Sequence, residues 1–91
     1  MSIEIKQLNQ KEFKIKIAKE IETEHVISIS DEIYKDLTNK KLSKEQLIDF
    51  SLKFLLQREC NSSILKTFAI EEISSYYPEY TESLKDFINK I

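Results

Sequence analysis

The stretch "HVISISDEIYKDL", His25 to Leu37, decides how the chain is read. Its first half alternates, with His25, Ile27 and Ile29 on one side and Val26, Ser28 and Ser30 on the other. A period of two is the mark of a half-buried strand. Ser30 then stands where a helix can begin. Its hydroxyl can accept an orphan backbone N–H, and Asp31 and Glu32 follow where the helix dipole favours negative charge. Ile33, Tyr34 and Leu37 supply the apolar side of a short helix over 31–38, and Asn39 can end it in the left-handed region. Strand into capped helix is the reading.

Upstream, "FKIKIAK" (13–19) alternates in the same way, with Phe13, Ile15 and Ile17 opposite Lys14 and Lys16. A β-hairpin over 13–19 and 24–30 follows, closed by a charged loop of about four or five residues, since no Asn-Gly signal is present. The preceding residues, 1–11, are polar and read as a loose arm or an edge extension. Downstream, Ser43 opens a second helix over 44–59. Leu47, Ile48, Phe50, Leu52, Phe54, Leu55 and Leu56 sweep most of its circumference and leave only Gln46, Asp49, Lys53 and Gln57 as a polar stripe. A monomer's surface helix needs a narrower apolar face. The expectation is therefore a homodimer through this helix and the strands, with Leu47, Phe50, Phe54 and Leu55 as its core and contact residues. "AIEEISSYY" suggests a third helix over 69–77. Pro78 suits the first position of a fourth over 79–90, where Tyr80, Leu84, Phe87, Ile88 and Ile91 recur at helical steps. The fold class is α+β, one domain over 1–91: a hairpin followed by about four helices.

Composition narrows the function. The chain has 91 residues, 41% hydrophobic, and a formal net charge of −2. Among its fourteen basic residues only Arg58 is an arginine, so the usual bidentate reader of phosphate and guanine is scarce. There is no glycine, and phosphate-cradling loops and nucleophile elbows are built on glycine. A single cysteine, Cys60, allows no internal disulfide and no cysteine-rich zinc site. Nothing approaches the ~18 apolar residues of a membrane span or the core of a signal peptide. The expectation is a soluble cytoplasmic protein with no membrane partner.

Candidate chemistry is thin. His25 is the lone histidine, on an apolar strand face with no nucleophile nearby in sequence, and reads as a bonded core residue. Cys60 beside Arg58 could be a somewhat reactive thiol, but a helix-end cysteine without a role is the simpler reading. The cluster "YYPEY" (76–80) suits packing between helices as well as an interaction surface. No catalytic residue, metal ligand or cofactor is assigned.

"VISISDEIYKDL" followed by "LSKEQLIDFSLKFLL" resembles the ribbon-helix-helix repressors and antitoxins over residues 25–58. The resemblance implies a dimer whose paired strands enter the major groove. Ile27 and Ile29 would face inward and Glu24, Val26 and Ser28 the groove. Ser43 and Lys44 would hold a backbone phosphate at a helix N-terminus. Glu24 departs from this pattern, because an acid facing DNA is repelled. The ending "ISSYYPEY" is similar to small bacterial proteins with no assigned function, which implies a grouping and no activity. Two functions follow. The first is a non-catalytic interaction or regulatory protein with an unidentified protein partner; the weaker alternative is a ribbon-helix-helix-like DNA-binding regulator or antitoxin.

Overall fold

A computed structural model describes residues 2–91. The α+β class holds: four helices lie with a four-stranded sheet whose order is β1-β2-β3-β4. The expected hairpin is β2 (Glu12–Ala18) and β3 (Glu22–Ser28), antiparallel, with Ile15 opposite His25 and Ile17 opposite Thr23. Its loop, 19–21, is shorter than expected. The Lys19 N–H bonds the Ile21 carbonyl at 3.1 Å, so the ladder continues almost to the bend.

Residues 2–7 form edge strand β1 (Ser2–Gln7), antiparallel to β2; Met1 lies outside the described residues. The loose-arm reading of 1–11 gives way to its alternative, an edge extension. Asn9 makes the turn. Its side-chain oxygen accepts from the N–H groups of Lys11 and Glu12, both at 2.9 Å, a side-chain substitute for a glycine turn.

Both predicted caps form. The Ser30 hydroxyl accepts from the Ile33 N–H at the start of α1 (Asp31–Thr38). Asn39 ends that helix at φ 51°, and Lys40 follows at φ 61°. Ser43 and Gln46 form a reciprocal capping box on α2 (Lys44–Leu56). α2 stops short of Glu59 because the Leu55 carbonyl takes the N–H groups of both Arg58 and Glu59 at 2.9 Å, which tightens the last turn.

The segment 69–77 differs most from its expected helix. β4 (Thr67–Ala69) adds to β3 in parallel, pairing Ile27 with Phe68. The Glu72 carboxylate accepts the Ala69 N–H at 2.6 Å, and only then does the chain coil, as a 3-10 turn at Ile70–Glu72 and α3 (Ile73–Tyr76). An open sheet edge outweighed local helix propensity. The last helix, α4 (Tyr80–Asn89), starts after Pro78 rather than at it; Tyr80 and Leu84 are buried, and Phe87 and Ile91 are exposed.

The core lies between one sheet face and the helices. Phe13, Ile15, Ile17, Ile27 and Phe68 from the strands meet Leu47, Ile48, Leu52, Phe54 and Leu55 of α2. Ile64, Ile73, Tyr80 and Leu84 complete the cover. The wide apolar circumference of α2 is thus satisfied largely within one chain.

Candidate interaction site

The groups with chemical potential are bonded to one another. His25 is 2% exposed. The Leu65 carbonyl, 2.8 Å from Nδ1, can only accept, so Nδ1–H donates. Nε2 lies 2.9 Å from the Thr23 hydroxyl, which can donate to it in the neutral ring, and Asn61 Nδ2 donates to that hydroxyl at 3.0 Å. Asn61 also holds the Ile21 carbonyl, so the trio ties the β2–β3 loop to the segment before β4. Both ring nitrogens of His25 are thus bonded within the chain.

Arg58 does not serve Cys60. Its guanidinium sits 3.6 Å over the Phe54 ring and bonds the Phe54 carbonyl. The tyrosines divide. Tyr80 bonds Ser51 at 2.6 Å, and burial pushes its pKa up to about 12. Tyr77 donates to Glu59, and that bond raises its pKa. Tyr76 is exposed. A cavity of about 180 Å³ beside them, lined by Leu55, Ile64, Phe68, Ile73 and Tyr77, is smaller than the ~300–1,000 Å³ usual for ligand pockets. Among the described residues, no three His, Cys, Asp or Glu side chains group to hold a metal, and no buried side-chain polar atom lacks a partner.

The residues mapped from the ribbon-helix-helix resemblance are scattered in role. Val26 and Ser28 lie half-buried on β3, between β2 along its length and β4 over Val26–Ser28. Over Val26–Ser28 the strand has no edge left for a partner's ribbon strand. The Ser43 hydroxyl is used in the capping box. Lys44 Nζ bonds the Asp31 carboxylate at 2.8 Å and the Gln10 carbonyl at 2.6 Å. That lysine's hydrogen bond and charge hold the Asp31 pKa below the usual carboxylate value. Leu47, Phe54 and Leu55 are buried in the chain's own core, and Phe50 is half-buried against Phe87 at 4.8 Å between ring centroids.

The outer edge of β1 has unmet bonding capacity in a regular row of three residues. The Leu8 N–H bonds the Glu12 carbonyl at 2.9 Å, in register with the β1–β2 ladder. Backbone groups alternate sides along an antiparallel strand. Residues 4 and 6 therefore turn their N–H and C=O groups to β2, while Ile3, Ile5 and Gln7 turn theirs outward. No strand among the described residues covers them. The register from Ser2↔Ala18 to Gln7↔Phe13 is unbroken, so no bulge twists the edge away, and β1 contains no proline. Ile3 and Ile5 continue the core face half-buried, opposite Ile17 and Ile15. Glu4 and Lys6 stand exposed on the open face.

In the sequence this edge is only the alternative to a loose arm over 1–11. The alternation in "SIEIKQ" was its signal, but two isoleucines in six residues are weak until the partner strand is known. No family model, curated protein or solved structure matches the chain significantly, so the site is read from its own geometry.

Proposed function

We propose that the protein is a non-catalytic interaction module that works by strand addition at β1. The carrying observation is the outward row of backbone groups on Ile3, Ile5 and Gln7, set on a four-stranded sheet and beside half-buried isoleucines. Strand addition draws affinity from main-chain bonds and selectivity from alternate side chains. On one side an incoming strand meets Ile3 and Ile5; on the other it meets Glu4 and Lys6. The bonded state of His25, Thr23 and Asn61 supports a structural use of the polar core over catalysis.

The test is a set of extended hexapeptides with alternating isoleucine and charged residues, titrated into labelled protein and followed by amide chemical shifts. Shifts concentrated at Ile3, Ile5 and Gln7 are expected. Shifts centred on α2 or α4, or none at millimolar peptide, would count against the edge as the site.

A further inference from the structure

We infer that the strand β1 receives is β1 of a second copy, antiparallel, with Ile5 facing the partner's Ile5 on the two-fold axis. This rests on the strand-addition reading and names its occupant. The edge complements itself.

Only outward-facing residues can exchange main-chain bonds across the new seam, which limits the choice to a few registers of Ile3, Ile5 and Gln7. With Ile5 on the axis, Ile3 faces the partner's Gln7, Ile5 faces the partner's Ile5, and Gln7 faces the partner's Ile3. All three outward residues are then used, each facing pair exchanging two bonds. A shift of one pairing step in either direction leaves one of the three without a partner.

Side chains select the same register. Between the bonded pairs lie the non-bonded positions, where side chains come closest. With Ile5 on the axis, Glu4 faces the partner's Lys6 and Lys6 faces the partner's Glu4. One of the shifted registers sets Glu4 against the partner's Glu4, and the other sets Lys6 against the partner's Lys6. Opposite charges across a strand pair stabilise and like charges destabilise, so one register is favoured on both counts.

The neighbours leave these two charges available. Lys14 pairs with Glu24 at 3.6 Å and Lys16 with Glu22 at 3.7 Å, while Glu4 and Lys6 enter no ion pair among the described residues. Lys6 also stands opposite Lys14 within the sheet, a like-charge contact that the partner's Glu4 offsets. On the other face, the Ile5 pair closes the half-buried end of the core. The two-fold axis crosses the sheet, so both helix layers lie on one side, and the two sheets become one continuous sheet with β4 at each end. The seam is one short strand wide, so the dimer is reversible and depends on concentration.

Sedimentation of wild type and four variants tests this. Glu4→Lys and Lys6→Glu each turn both cross-axis pairs repulsive and weaken the dimer about tenfold. Combining them in one chain, E4K/K6E, restores it. Mixing the two single variants yields a heterodimer tighter than either homodimer. Ile5→Pro removes an outward N–H that β2 does not use, and is expected to be a folded monomer. Urea titration at low concentration, where the protein is monomeric, separates these effects from monomer stability. A wild type that stays monomeric through the high micromolar range overturns the inference, as does a dimer indifferent to the charge exchanges or not restored by the double exchange. A monomer whose outward amides still respond to peptides retains the strand-addition reading with a different occupant; a monomer without that response loses both.

Discussion

Tyr80 shows how much a single buried hydroxyl can govern. It is fully buried among Phe50, Phe54 and the α2 backbone, and its hydroxyl meets Ser51. Burial raises its pKa from 10.0 to about 12, with the Ser51 bond opposing the shift in part. The folded state therefore keeps this proton at pH values where the unfolded chain releases it. The associated stability is complete below pH 10 and is lost as pH rises through about 12. The loss is on the order of 3 kcal/mol for a shift of this size. Tyr77 adds to the same trend through its bond to Glu59. Tyr80→Phe is expected to flatten the alkaline limb of a urea-stability profile. At neutral pH it costs about 1 kcal/mol for the lost hydrogen bond. An unchanged alkaline limb would place the titrating groups elsewhere. The sequence showed three tyrosines around a proline but not their division into one core, one half-buried and one exposed residue, which depends on how α4 crosses α2.

At the scale of elements, a chain without glycine must turn by other means. Asn9 uses its side chain, and Asn39 takes φ 51°, a conformation that costs most residues roughly 1–2 kcal/mol. Asn39→Ala should lower the unfolding free energy by about 1 kcal/mol in urea, and Asn39→Gly should be neutral or better. Equal loss from both would mean that the side chain, not the backbone angle, matters. The caps at Ser30 and Ser43 and the strands β2 and β3 were legible because each is specified by residues close in sequence. β1 and β4 were not. β1 has only Ile3 and Ile5 as apolar markers, and its identity comes from their β2 partners Ile17 and Ile15, 14 and 10 residues further along the chain. β4 is a three-residue strand whose backbone is recruited by β3, with the Val26 N–H bonding the Lys66 carbonyl at 2.7 Å. Local propensity across 69–77 pointed to helix, and at Ala69 an unsatisfied sheet edge prevailed.

For the whole molecule, the wide apolar face of α2 suggested a partner, and the chain itself supplies most of its cover through the sheet, α3 and α4. Periodicity measures how much of a helix is buried, not which chain buries it. An exposed sheet edge escapes sequence reading for a related reason: it is defined by the strand that fails to pair with it. Amide hydrogen exchange reads directly whether the β1 edge bonds to another strand. The Glu4 and Lys6 amides, turned toward β2, are expected to be protected at every protein concentration. Those of Ile5 and Gln7 are expected to be protected at high concentration and to exchange freely on dilution. Free exchange of Ile5 and Gln7 at all concentrations, with the protein otherwise folded, would contradict pairing of β1 with a second copy.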